Sequence, residues 1–165
     1  MQNDWNLIRE KMIKICKNLE KAGAEGIIIC SNTMHLVATD LEKEIKTPII
    51  NVIDVVAESI KKEGLKSVGL LGTKFTMKED FYKGRLRTKH NLKIIVPQEE
   101  DIEKINEIIY NELAYGKIDL TSKKEVKRII EDIIIRGAEG IILGCTELPM
   151  IINPSEVEVP LFDTL

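Results

Sequence analysis

One short motif occurs twice in this chain, and each copy predicts a turn that leads into a buried strand. Residues 23–30 read Gly-Ala-Glu-Gly-Ile-Ile-Ile-Cys, and residues 137–145 read Gly-Ala-Glu-Gly-Ile-Ile-Leu-Gly-Cys. A continuous run of β-branched and aliphatic residues is typical of a strand that is buried on both faces, as in a parallel sheet. Each copy therefore predicts a cysteine, Cys30 or Cys145, at the carboxyl end of a strand.

Short apolar runs alternate with segments of helical periodicity along the rest of the chain. Strands separated by helices of roughly 10–15 residues indicate βαβ units and a parallel sheet. Two capping-box patterns, at residues 76–79 and 122–125, are expected to begin helices. The predicted strands fall at residues 26–30, 49–52, 67–71, 93–96, 140–144 and 159–162.

The duplicated motif predicts an α/β fold of two pseudo-symmetric, Rossmann-like halves with a cleft between them. We assign residues 1–65 plus 137–165 to a first domain and residues 66–136 to a second. Open α/β sheets bind ligands at the carboxyl ends of their strands. We therefore expect one cysteine from each half to face a shared site.

Composition gives no support for a nucleic-acid or membrane partner. The 165 residues are 44% hydrophobic and 31% charged, which suits a folded domain with a solvated surface. A net charge of −3 gives no reason to expect a nucleic acid or an anionic membrane as partner. No apolar run approaches the roughly 20 residues of a membrane span.

The cysteine count and the absence of familiar motifs bear on location and cofactors. Three widely spaced cysteines are a poor disulfide framework, and no secretory signal is visible at the N-terminus, so we expect a cytoplasmic protein. No spacing typical of a zinc site occurs, and no glycine-rich phosphate loop occurs. We therefore expect neither a metal nor a nucleotide cofactor.

Two matched thiols suit a reaction with two mirror-related proton transfers. A thiolate accepts a proton, a thiol with a pKa near about 8.5 donates one, and a helix N-terminus favours the thiolate. Inverting a stereocentre needs a base on one face and an acid on the other. The alternative is that Cys30 and Cys145 are small buried hydrophobic residues. We interpret Cys16, within the first helix, as structural.

Polar residues beside the two cysteines are the other candidates for a site. Some follow a strand end and either cap the next helix or bind a substrate carboxylate or ammonium group. These are Asn32, Thr33, Thr73 and Thr146. His35 and Glu147 are titratable neighbours that either tune a thiol or lie on a solvated helix face.

At these residues the chain resembles the aspartate/glutamate racemase family. The resemblance rests on residues 30–35 (Cys-Ser-Asn-Thr-Met-His) and 144–148 (Gly-Cys-Thr-Glu-Leu), and on the segments 70–77 and 160–164. It implies two pseudo-symmetric α/β domains, an isomerase that uses neither pyridoxal phosphate nor a metal, and two catalytic cysteines at Cys30 and Cys145. Asn32, Thr33, Thr73 and Thr146 are similar to the family's substrate-binding positions.

The resemblance also implies differences at both ends. The family begins with a strand and a Gly-Gly-Met-type loop that we do not find before Trp5, and it ends with a helix that we do not find after Leu165. We therefore expect a chain that is truncated at the N-terminus and the C-terminus and lacks the first strand. Such a sheet would have an open edge. A homodimer, or a partner that completes the sheet, is the expected assembly.

The sequence therefore predicts a cytoplasmic, cofactor-independent amino-acid racemase that acts on a small amino acid in D-amino-acid metabolism. Two alternatives stay open. One is a related lyase or isomerase of the same superfamily. The other is a truncated, catalytically impaired racemase-like protein that binds a ligand or a partner.

Overall fold

Parallel strand pairing dominates the computed structural model, which describes residues 4–164. The predicted α/β class with parallel sheets is confirmed. The chain divides into two compact units, Met1–Val52 and Ile53–Leu165. The strands are β1 (Ile27–Ile28), β2 (Ile49–Ile50), β3 (Ser67–Gly72), β4 (Lys93–Ile95), β5 (Ile141–Gly144) and β6 (Leu161–Asp163).

Seven α-helices lie among the described residues. They are α1 (Trp5–Lys21), α2 (Ala38–Glu44), α3 (Val52–Lys62), α4 (Lys74–Lys78), α5 (Asp80–His90), α6 (Glu99–Asn111) and α7 (Leu120–Ile135). Short 3-10 turns occupy Thr33–Val37, Leu113–Tyr115, Leu148–Met150 and Pro154–Glu156.

The first unit builds its core from one face of a two-stranded sheet. β1 pairs with β2 in parallel register, with Ile27 opposite Ile49. Side chains alternate between the two faces of a strand, so Ile27 and Ile29 point into the core while Ile28 is exposed. The core side is covered by α1 and α2, which contribute Cys16 and Leu41.

The second unit holds a four-stranded sheet in the order β4-β3-β5-β6. β3 and β5 are its central strands, and their side chains are almost completely buried, as expected for a parallel sheet covered on both faces. α6 and α7 pack on this sheet through isoleucines and a valine spaced three or four residues apart, the period of a helix face. These are Ile102, Ile105, Ile108 and Ile109 of α6 and Val126, Ile129, Ile130 and Ile133 of α7.

The two copies of the repeated motif form the same local structure. Gly23 and Gly137 have φ angles of +90° and +97°, the left-handed conformation that ends a helix. After each glycine, an alanine N–H bonds back to the last turn: Ala24 to Leu19 and Ala138 to Ile133. This Schellman arrangement uses helix carbonyls that would otherwise lack partners and turns the chain towards the following strand.

The strand pairing differs from the predicted division of the chain. That division grouped residues 137–165 with residues 1–65, whereas in the second unit β5 pairs with β3, and β6 pairs with β5. The repeat describes local structure at the end of a helix and the start of a strand. It carries no information on which strand each copy then pairs with.

Both capping-box predictions are wrong. Thr73 is the N-cap of α4 and accepts from the Thr76 backbone N–H, so Thr76 lies inside that helix. Asp119 is the N-cap of α7 and accepts from the Thr121 and Ser122 backbone N–H groups. In each case the helix begins earlier than predicted, because a side chain three residues earlier in the chain accepts hydrogen bonds from the free N–H groups of the first turn.

The fourth residue of each motif copy provides a matched test of packing. A Cβ at Gly140 would lie 2.8 Å from Phe162 Cε2, 3.1 Å from Leu65 Cδ1 and 3.3 Å from Pro160 O, whereas at Gly26 the nearest atom is Ile50 Cδ1 at 3.7 Å. We expect Gly140→Ala to lower the free energy of unfolding by about 1–3 kcal/mol because of overpacking. Gly26→Ala should change it by less than about 1 kcal/mol. Urea unfolding followed by circular dichroism measures both, and equal losses would contradict this packing.

Candidate active site

Two glycines allow the central strands of the second unit to end side by side. Gly72 of β3 lies opposite Gly144 of β5 in the parallel register. A Cβ on Gly144 would lie 2.8 Å from the Leu71 carbonyl oxygen, and a Cβ on Gly72 would lie 3.0 Å from the Gly144 carbonyl oxygen. Backbone atoms move less easily than the end of a side chain, so neither position has room for a larger residue. The next residues along the two strands are Thr73 and Cys145.

The Cys145 thiol is held by the carboxylate two residues further on. Cys145 Sγ donates to Glu147 Oε2 over 2.9 Å, and the Thr146 hydroxyl donates to the same oxygen over 2.7 Å. Burial, followed by the hydrogen bond and the negative charge of Glu147, raises the pKa of Cys145 to about 12. The two donated hydrogen bonds lower the pKa of Glu147. At neutral pH the pair is therefore a neutral thiol beside an ionised carboxylate.

Further hydroxyl groups stabilise this edge of the sheet. The Thr73 hydroxyl lies 3.1 Å from that of Thr76, which is completely buried between the two strand ends. Thr164, just after β6, donates to the Leu143 carbonyl oxygen over 3.0 Å. Sequence reasoning missed both Thr76 and Thr164 as supporting residues. Their signal would have been a threonine near the end of each strand that flanks Cys145.

The first unit positions Cys30 in a different environment. Cys30 follows β1, and its side chain is exposed, whereas Cys145 is buried. Cys145 directly follows β5, as predicted, whereas Cys30 lies two residues beyond the end of β1. The first strand is also buried on one face only, since Ile28 is exposed, and not on both faces as its apolar run predicted. The two environments differ, so local sequence similarity does not extend to equal burial.

His35 ties the loop after Cys30 to the segment after β2. The Val52 backbone N–H donates to His35 Nε2 over 3.2 Å, which assigns the proton to Nδ1, and Nδ1 then donates to the Ser31 carbonyl oxygen over 2.8 Å. With both ring nitrogens used and the side chain buried, His35 holds the backbone of the Cys30 loop in position.

The remaining candidate residues have mixed surroundings. Asn32 is buried and Thr33 begins a 3-10 turn in the first unit, so both lie in the loop that follows Cys30. Cys16 is buried within α1, and burial raises its pKa, which agrees with a structural role.

Within residues 4–164, no group of three His, Cys, Asp or Glu side chains is arranged to hold a metal ion. The described helices include none that is both long and apolar enough to cross a membrane.

Comparisons with known proteins agree on one family. The family model of the Asp/Glu/hydantoin racemases matches residues 1–165. The fold is similar to that of an aspartate racemase homologue from Pyrococcus horikoshii, with 43% identity, a TM-score of 0.87 and coverage of 99% of this chain and 71% of that one. It is also similar to a candidate Asp/Glu racemase from Yersinia pestis, with 41% identity, a TM-score of 0.95 and the same coverage.

A glutamate racemase from a Sulfurihydrogenibium species is a more distant relative. It is 31% identical over 132 residues, which are 78% of this chain and 48% of that protein. This chain therefore spans about half the length of that enzyme.

The contact between Cys145 and Glu147 generates a prediction about thiol reactivity. In a Cys16→Ser/Cys30→Ser background, the further change Glu147→Gln removes the negative charge that disfavours the thiolate, so the pKa of Cys145 should fall. The rate of alkylation by iodoacetamide, measured against pH, should rise by about tenfold at neutral pH for each unit by which the pKa falls.

Glu131→Gln in the same background is the control, because it removes one exposed carboxylate that makes no contact with the thiol. An unchanged alkylation profile in the Glu147→Gln variant would show that Glu147 does not tune Cys145.

Proposed function

The chain belongs to the Asp/Glu/hydantoin racemase family, and we propose that it is a cofactor-independent amino-acid racemase in which Cys30 and Cys145 transfer the Cα proton. The observation that carries the proposal is the thiol of Cys145, which lies at the carboxyl end of β5 and is held by Glu147. Ligands of open α/β sheets bind at this edge.

The proposed reaction balances with two thiols and no other reactant. One cysteine, as the thiolate, takes the Cα proton from one face of the amino acid and becomes a thiol. The other, as a thiol, donates its proton to the opposite face and becomes a thiolate. The product is the other enantiomer, and the two cysteines have exchanged protonation states. The pair must then exchange protons with solvent, or catalyse the reverse direction, before the same direction proceeds again.

Cys145 is prepared for the acid role in this scheme. A thiol with a raised pKa keeps its proton at neutral pH and donates it to a carbanion-like centre, which is far more basic. The exposed Cys30 would then be the base for that direction. For the reverse direction Cys145 must lose its proton, and substrate groups that displace its hydrogen bond to Glu147 would favour that loss.

We propose Asn32, Thr33, Thr73 and Thr146 as the residues that bind the substrate, with His35 and Glu147 as positioning residues. The hydroxyl and amide groups can bind a carboxylate or an ammonium group without adding a charge of their own. A small, acidic amino acid is the proposed substrate, in line with the names of the racemases that the chain resembles.

Cysteine variants provide the first test. Cys145→Ser should lower racemisation by at least about 100-fold, because a hydroxyl holds its proton too tightly to act as the base in turn. Cys30→Ser should have a loss of similar size, and Cys16→Ser should change the rate little. The assay is exchange of the Cα proton with deuterium, followed by NMR, with L-aspartate, L-glutamate and a panel of other L-amino acids.

Ser31→Ala is the matched control for Cys30, since Ser31 places a hydroxyl at the neighbouring position of the same loop. Loss of activity in Ser31→Ala with activity retained in Cys30→Ser would show that Cys30 is not the base on this side. Full activity in Cys145→Ser would overturn the two-thiol mechanism.

Isotope incorporation distinguishes two bases from one. In D2O, a donor on the opposite face carries solvent deuterium, so the product enantiomer should contain deuterium from its first turnover. The remaining substrate should stay unlabelled at early times. Chiral chromatography with mass spectrometry measures both pools. Product that retains the substrate hydrogen would indicate a single base that acts on both faces.

A further inference from the structure

A second candidate site lies at the amino ends of the strands of the four-stranded sheet, opposite to the strand ends that carry Thr73 and Cys145. We propose that a recess lined by Lys66, Lys83, Arg87 and Lys93, here named the basic recess, binds a small, multiply charged phosphoanion. The recess has a volume of about 510 Å³ and is also lined by Asn91, Leu92 and Ile94. Four cationic side chains and no acidic side chain line it, although the whole chain has a net charge of −3.

The amino ends of two neighbouring strands form the recess. Lys66 precedes β3 and Lys93 begins β4, and the Lys93 N–H donates to the Lys66 carbonyl oxygen over 2.9 Å. Asn91, in the left-handed conformation with φ of 56°, ends α5 and turns the chain into β4. The backbone that carries these side chains is thus held by helix and sheet hydrogen bonds.

The three lysines of the basic recess form no close ion pair with a carboxylate among the described residues. Among the described residues, neither Lys66 nor Lys93 has an ion-pair partner, and the Lys83 ammonium donates to the Lys78 carbonyl oxygen. The Glu139 carboxylate accepts from the Lys66 and Ser67 backbone N–H groups. These bonds, and in smaller part the charge of Lys66, lower the pKa of Glu139, so this carboxylate offsets part of the Lys66 charge. Arg87 pairs with Asp80 at 3.1 Å, and both side chains are more than half exposed, so water and salt weaken that pair.

Other basic side chains of α5 show the contrast. Arg85, Lys89 and His90 all contact the carboxylate of Asp54, with Arg85 binding both of its oxygens. Those contacts link α5 to α3 and hold the three side chains on one carboxylate. In the basic recess, by comparison, no carboxylate lies among the lining residues, and the one ion pair, Arg87 with Asp80, is exposed.

The chemistry of the lining favours phosphate groups. Lysine binds phosphate as a compact charge, and the guanidinium of arginine binds two oxygens at once. β4 is the edge strand of its sheet, so alternate N–H groups of the segment that includes Ile94 point away from β3 and can also donate to an anion. A concave site with four cations around one space suits a compact anion better than an extended chain.

The basic recess is separate from the Cys145 edge. The six residues of β3 span the distance from the amino ends to the carboxyl ends of the strands, which is about 20 Å. A phosphoanion and an amino acid therefore would not compete for the same groups. The inference stands or falls independently of the racemase proposal.

Pyrophosphate is the probe for this site. We expect its addition at low ionic strength to shift the backbone amide NMR signals of residues 91–94, and the affinity from calorimetry to fall about tenfold or more in Lys66→Gln/Lys93→Gln. Both lysines are exposed, so thermal unfolding of that variant should be unchanged. Saturating L-aspartate or L-glutamate should not displace the probe.

Lys104→Gln/Lys124→Gln is the matched control, since it removes two exposed charges from α6 and α7 outside the basic recess. Equal weakening in both double variants would show general charge attraction and overturn the proposal, as would the absence of shifts at residues 91–94. Tighter binding of a single-stranded RNA oligonucleotide than of pyrophosphate at the same residues would replace the small anion with a nucleic acid.

Discussion

The close approach of β3 and β5 at Gly72 and Gly144 is the constraint on which the candidate site of the second unit depends. A side chain at either position would meet backbone oxygen of the neighbouring strand within about 3 Å. Because both residues are glycine, the strands stay in register to their ends, and Thr73 and Cys145 follow at neighbouring positions. The Thr76 side chain packs against both glycines, so the edge is held by side-chain packing as well as by the ladder.

Electrostatics then determines what Cys145 can do at this edge. A thiol at a strand end is usually expected to become more acidic from nearby helix dipoles, but burial and Glu147 act in the opposite direction. The Cys145 side chain is therefore a protonated thiol at neutral pH. Cys30 is exposed and has no such carboxylate two residues further on, where Asn32 stands instead. The two cysteines of the repeated motif therefore lie in unequal environments, and the proposed mechanism uses this difference by assigning the acid role to Cys145 first.

Much of the fold could be predicted from the sequence because its signals are local. Apolar runs predicted the strands, and the two copies of the repeated motif predicted a turn before β1 and before β5. Strand pairing could not be predicted in this way, since it depends on contacts between residues far apart in the chain. The capping boxes failed for a related reason. By residue type, Thr73 suits the N-cap role as well as Thr76 does, and Asp119 suits it as well as Ser122 does. Only the path of the preceding segment decides which residue caps each helix.

The residues of the candidate site could be predicted from their type and position in the sequence, but the hydrogen-bond partners of each side chain could not. Cys145 and Glu147 are two residues apart, and their hydrogen bond depends on the turn after β5. His35 was expected either to tune a thiol or to lie on a solvated helix face, yet it is buried and its two ring nitrogens bind backbone groups of Ser31 and Val52. A parallel sheet also separates the two ends of its strands by their full length, so Cys145 and the basic recess are about 20 Å apart although β3 borders both.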